Sequence, residues 1–266
     1  MPAEDDVWNL PRFVSSAGFS YLCNPIKKQV MKQQTLINHR TCTVYQSDEQ
    51  PRTLLLQPVD GHDIKELDTE LEWIAGHTTI PFRLIAIHIN RWFDELAPWP
   101  APPVFGKTPF GNGAPATLDT IQAIADEELQ RMAMAGKPHA SMVLGGYSLA
   151  GLFALWAGYQ PRLSFDAIVA ASPSVWYQDW LDYAAAHEPT ANAFYLSLGD
   201  REERSRTPLL TTIGTAIRRQ QRLLDEAGVR NILEWNAGNH FQDNGLRTAK
   251  GFVWAMEAAA CRSGHA

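Results

Sequence analysis

The chain has 266 residues, ordinary for one large α/β domain and short for two full ones. Hydrophobic residues make up 45% of it, which excludes a disordered chain, and a net charge of -6 gives no electrostatic reason to expect nucleic acid or an anionic membrane as partner. Cys23, Cys42 and Cys261 are sparse and lack metal-ligand spacing, so neither a disulfide framework nor a metal site is expected.

The first residues, Met1 to Ser16, lack a charged-then-apolar leader pattern. No apolar run approaches the roughly 18 residues of a membrane-spanning helix. These features point to a soluble, cytoplasmic protein. Phe13 to Ile26 reads either as edge strands or as a loop, so residues 1–40 are left as edge strands or an irregular extension. Lys27-Lys28 and, later, Arg218-Arg219 are isolated basic pairs that read as solvated surface.

Thr41 to Gln46 alternates as a strand, and Thr53 to Val59 is a second, ending at the turn signal Asp60-Gly61. Ile64 to Ala75 has helical spacing, with Leu67, Leu71 and Ile74 on one side. Phe82 to Ile89 is nearly continuous and apolar, the mark of a parallel strand buried on both faces. Residues 90–115 are crowded with proline and glycine and predict a long irregular loop near the functional site.

Leu118 to Ala135 predicts a helix, Ser141 to Leu144 a strand, and Leu149 to Tyr159 a helix. Strands at Phe165–Ala171, Ala193–Leu198 and Asn231–Trp235 then alternate with helices at Trp180–Ala186, Leu209–Ala227 and Thr248–Ala260. Such alternation implies a single α/β domain over 1–266: a mostly parallel sheet with helices on both faces.

The segment Gly145-Gly146-Tyr147-Ser148-Leu149-Ala150-Gly151 reads as a strand, a sharp turn and a helix. This is the pattern of a nucleophile elbow, with small residues where strand and helix approach closely. Ala150 stands where the usual Gly-x-Ser-x-Gly spacing has its last glycine. A plain helix-capping serine is the alternative.

A serine hydroxyl needs a base to take its proton, and His240 follows the last strand, downstream of Ser148 as the hydrolase order requires. His88, inside a strand, reads as a core or pocket-edge residue. The orienting acid is expected in Gly199-Asp200-Arg201-Glu202-Glu203. Glu202 has the favoured spacing, Asp200 is the runner-up and Glu203 the third candidate.

The oxyanion hole takes the N–H of Leu149 and one from the loop after the third strand, assigned here to Asn90. Arg91, Trp92, Tyr147, Trp176 and Phe241, with Trp99 and Tyr177, cluster around these segments as candidate substrate contacts. About half of the aromatics are expected to close the core instead. Arg91 either pairs with an acidic substrate or anchors a carboxylate such as Glu95.

With these residues in view, the chain resembles the esterase family of α/β-hydrolases that includes enterobactin-type siderophore esterases and related bacterial carboxylesterases. The likeness runs from about Leu54 to the last helix. It is carried by Val59-Asp60-Gly61, Arg91 with Glu95-Leu96, Gly146 to Phe153, Ala171-Ser172-Pro173-Ser174-Val175-Trp176, Gly199 to Glu202 and Gly238-Asn239-His240. The resemblance implies the α/β-hydrolase fold and hydrolysis of a small-molecule ester, a siderophore-type lactone or a simple acyl ester, through an acyl-enzyme without a cofactor. In that family the acid varies and some members look like Ser–His dyads. Acyl transfer to another alcohol is the alternative activity, and a non-catalytic binding protein the alternative class. Oligomeric state is not legible.

Overall fold

The computed structural model describes residues 31–104, 106–136, 140–205 and 207–263. The expectations for Phe13–Ile26, the Lys27-Lys28 pair and Cys23 lie outside them. One eight-stranded sheet runs through the molecule. Its strands are β1 (Met31–Ile37), β2 (Arg40–Gln46), β3 (Thr53–Val59), β4 (Phe82–His88), β5 (Ser141–Tyr147), β6 (Ala167–Ala171), β7 (Ala193–Gly199) and β8 (Arg230–Asn236). They lie in the order β1-β2-β4-β3-β5-β6-β7-β8. The first two pairings, β1 on β2 and β2 on β4, are antiparallel and the rest are parallel.

Helices α1 (Asp63–His77), α2 (Trp92–Glu95), α3 (Ala114–Met134), α4 (Leu149–Ala157), α5 (Trp180–Ala186), α6 (Ile213–Glu226) and α7 (Asn244–Ser263) connect and flank the strands. Two buried clusters separate along the faces of the sheet. One holds Leu54, Leu56, Ile85 and Leu144 with residues of α3 and α4; the other holds Leu55, Val143, Val169 and Tyr195 with α1 and α7. The alternation Leu54/Leu56 against Leu55 is the two-residue period of a strand covered on both sides. This is the α/β-hydrolase fold. Among the described residues no helix is long and apolar enough to cross a membrane.

Two local expectations are corrected. The 90–115 stretch is not wholly irregular: it contains α2, a bridge between Ala101 and Phe110, and the start of α3. Pro115 sits in the first turn of α3, where its missing N–H has no helical partner to lose. A strand at Met31–Ile37 precedes the one expected at Thr41, so each later strand moves up by one in the count. The Arg218-Arg219 pair lies exposed at the surface as expected, with Arg218 over the Trp235 ring at 4.6 Å and Arg219 within 3.7 Å of Asp182.

Candidate active site

Four parallel strands, β5 to β8, point their carboxyl ends at one edge, and the loops there carry the chemistry-bearing residues. Ser148 lies between β5 and α4 with φ 57°, ψ −117°, a backbone conformation that residues with a side chain rarely adopt. Three hydrogen bonds hold it. Its N–H donates to the Ala171 carbonyl, and its own carbonyl accepts from Leu152 and Ser174 N–H, each at 3.0 Å.

The turn also explains the departure at Ala150. A Cβ on Gly146 would come 2.6 Å from the Ala150 Cβ and 2.7 Å from its carbonyl carbon. Alanine fits at 150 because position 146 has no side chain.

The His240 ring lies between Ser148 and Glu202. Its Nδ1 is 2.8 Å from Glu202 Oε2 and its Nε2 is 3.0 Å from Ser148 Oγ. A carboxylate only accepts, so Nδ1 carries the ring proton and Nε2 is left to accept from the serine hydroxyl. The buried Glu202 is held from the other side as well. Its Oε1 accepts from Gly199 N–H (2.7 Å), the Ser172 hydroxyl (2.8 Å) and Arg247 Nη1 (2.9 Å). Burial pushes this carboxyl up, but the hydrogen bond from His240 and its charge, with the Gly199 N–H and Ser172, pull it below the usual carboxylate range.

The competing acids stand elsewhere. Asp200 is exposed and its Oδ1 accepts the Gly238 N–H at 2.9 Å, so it fastens the loop rather than the ring. Glu203 packs its carboxylate against Gly214 at the start of α6. His88 is half-buried with Nε2 2.9 Å from Thr43 Oγ1, and burial lowers its pKa.

A cavity of about 500 Å³ opens over Ser148 and His240. Trp92, Phe93 and Trp176 line it with Leu210 and Ile213, while Arg201, Arg204 and Asp60 supply charge. Phe241 stands at it too, highly exposed. Trp99 and Tyr177 pack on each other, and the Tyr177 hydroxyl donates to the Trp99 carbonyl, so both build the loop rather than the cavity.

Three candidates are relocated. Tyr147 is buried beneath the ring, and its hydroxyl donates to the His240 carbonyl at 2.9 Å. Burial, then the Glu202 charge, push its phenol up to about 12 despite Arg247. Arg91 is not among the residues lining this cavity, and its guanidinium has Asp94 at 3.0 Å and Glu95 at 3.9 Å. It therefore anchors carboxylates. Asn90 follows β4, whereas the loop after the third strand is 60–62, and Asp60 lines the cavity.

Leu149 is the first residue of α4, where N–H groups have no helical carbonyl ahead of them. Arg247, fully buried in the first turn of α7, touches Glu202, Ser172 and Tyr147 and is absent from the sequence-based candidates. No local pattern distinguishes a buried arginine from an exposed one at a helix start.

No protein-family model and no curated protein matches the sequence. Solved structures do match the fold. The siderophore hydrolase EstB from Aspergillus nidulans superposes with a TM-score of 0.64 at 17% identity, over 92% of this chain and 97% of its own. The siderophore hydrolase EstA from the same organism gives 0.62 at 18%, over 93% and 99%. An IroE-like serine hydrolase from Shewanella oneidensis gives 0.63 at 13%, over 85% and 79%.

Proposed function

We propose that this protein is a serine ester hydrolase working through an acyl-enzyme, with Ser148 as nucleophile, His240 as general base and acid, and Glu202 as the orienting acid. The continuous chain from Glu202 Oε2 through the His240 ring to Ser148 Oγ carries the reading. The Ser148 proton passes to His240 Nε2 as Oγ attacks the ester carbonyl. The imidazolium then protonates the departing alcohol. Water, deprotonated by the same nitrogen, attacks the acyl-enzyme, and Oγ leaves with the proton returned to it. Glu202 holds the ring in the accepting tautomer and stabilises its cation throughout.

The tetrahedral oxyanion is assigned to the Leu149 N–H together with the loop 60–62, which takes the place assigned above to Asn90. The cavity volume falls in the ordinary range for small-molecule sites. Its aromatic wall suits an apolar or aromatic group, and the structural neighbours named siderophore hydrolases make a siderophore-type ester the first substrate to try.

The test is twofold. A fluorophosphonate should label the protein and fail on Ser148→Ala. A series of p-nitrophenyl esters of rising chain length, run beside a catecholate trilactone, should show turnover that the same variant loses. Labelling that survives on another serine overturns the assignment.

A further inference from the structure

Arg247 occupies a costly place. Its side chain is 1% exposed, its Nε has no partner among the described residues, and it stands where a helix dipole disfavours a cation. A buried ion pair of this kind adds little net stability over well-packed apolar side chains. What the guanidinium does have is reach.

Nη1 contacts Glu202 Oε1 at 2.9 Å, Ser172 Oγ at 3.1 Å and the Tyr147 hydroxyl at 3.2 Å. Nη2 donates to the Ala237 carbonyl at 3.1 Å and the Asn239 carbonyl at 2.9 Å. These groups come from the ends of β5 and β6 and from the loops after β7 and β8. Tyr147 returns the connection to the carbonyl of His240 itself. Room for the guanidinium comes from two glycines: a Cβ on Gly199 would lie 3.0 Å from both terminal nitrogens, and one on Gly238 3.2 Å from Nη2.

We infer, on the basis of the hydrolase reading, that Arg247 is a positioning residue: it clamps Glu202 and the His240 loop in register with Ser148, and its charge offsets the carboxylate that faces the ring. The clamp needs the planar fork of an arginine, whereas the offset needs only a positive charge. The titratable and charged groups around this network are Tyr147 from β5, Asp200 and Glu202 after β7, and Asp60 after β3. Arg201 and Arg204 stand at the cavity, and the Lys250–Glu234 pair lies one turn along α7. Of these, Glu202 touches both Arg247 and the ring.

The experiment compares wild type, Arg247→Met and Arg247→Lys as full chains. The pH midpoint of the His240 ring-proton resonance is followed by NMR, and kcat is measured on a p-nitrophenyl ester. In Arg247→Met the uncompensated carboxylate should favour the imidazolium and move the midpoint up by about one pH unit. Arg247→Lys should leave the midpoint in place, yet lose roughly tenfold to a hundredfold in kcat, because an ammonium cannot span both loop carbonyls and Glu202.

A residue that only packs would lower the melting temperature in both variants and move neither readout; that result overturns the inference. If Arg247→Met fails to fold, Arg247→Lys decides alone, and a kcat within about twofold of wild type overturns it. Absence of turnover in the wild type would sink the hydrolase reading while the NMR midpoints still report on the network.

Discussion

Replacing Glu202 by glutamine changes one atom, and the structure dictates which way the new amide must face. Gly199 N–H and Arg247 Nη1 approach Oε1 at 2.7 and 2.9 Å, and neither can accept a hydrogen bond. The amide oxygen is therefore held on that side, and its NH2 takes the Oε2 position 2.8 Å from His240 Nδ1. Nδ1 must then accept, which moves the ring proton to Nε2, against the Ser148 hydroxyl. The base is lost although every atom keeps its place. The equivalent tautomer trap in a well-studied serine protease lowers kcat about 10⁴-fold, or roughly 5 kcal/mol of transition-state stabilisation. Glu202→Gln should show a fall of that order on a p-nitrophenyl ester, in a chain that stays folded on the bonds to Oε1 but melts lower because the buried Arg247 loses its paired charge. Asp200→Asn, which can still accept from Gly238, and Glu203→Gln should change the rate by less than about threefold. A Glu202→Gln enzyme retaining more than about a tenth of wild-type kcat would refute the reasoning, and a large loss in Asp200→Asn would transfer the role to that residue.

Gly146→Ala should distort the elbow, since its Cβ would meet the Ala150 backbone rather than a flexible side chain. A loss of roughly 1–3 kcal/mol in denaturant midpoint together with lost labelling of Ser148 is expected, and wild-type values for both would contradict it. Asp63, beside the loop 60–62, accepts the Asp60 N–H, and burial followed by the Asp60 charge raises its pKa to about 7. A carboxyl raised in the folded state binds its proton more tightly there, so stability rises as pH falls from above 7 towards the ordinary aspartate range. Asp63→Asn should remove this dependence and stabilise the protein above pH 7 by up to roughly 4 kcal/mol; melting curves at pH 8 and 5 that parallel wild type would exclude it. Glu202 has the opposite sign: its contribution is whole above the ordinary glutamate range and lost in acid as pH falls through its depressed value, so acid melting of Glu202→Gln should be flatter than wild type. Trp176→Ala removes cavity wall away from the Ser148–His240–Glu202 chain and should raise KM more than it lowers kcat, the reverse split counting against a role in substrate binding.

The Ser148 turn is legible because its cause is local: glycine and alanine must stand where strand and helix cross. The chain order Ser148, Glu202, His240 is the one the hydrolase pattern expects, and strand alternation locates the loops that carry them. Choosing among Asp200, Glu202 and Glu203 is not local in the same way. The turn closed by Glu202 N–H on the Gly199 carbonyl folds that side chain back over the strand end, while Asp200 is turned outward to Gly238. The placement of Asn90 after the third strand is corrected for a different reason. The strand MKQQTLI is largely polar and exposed, as an edge strand often is, so it carries no apolar period and is missed in the count. Arg91 and Arg247 make the same point from two sides. Their sequence neighbourhoods do not reveal that one is bound to nearby acids at the surface and the other buried among four loops.

Helix α7, the final described element, also closes the back of the sheet with Ala249, Phe252 and Met256. Synthesis proceeds from the amino terminus at about 5–20 residues per second, so Ser148 is in the chain roughly 5–20 s before Arg247 is added. During that interval a nascent chain holds its serine without the guanidinium that contacts Glu202 and the carbonyls of Ala237 and Asn239. An ester encountering the chain then meets an alcohol no more reactive than any other. On the reading proposed above, reactivity at Ser148 waits for the segment that carries His240 and Arg247.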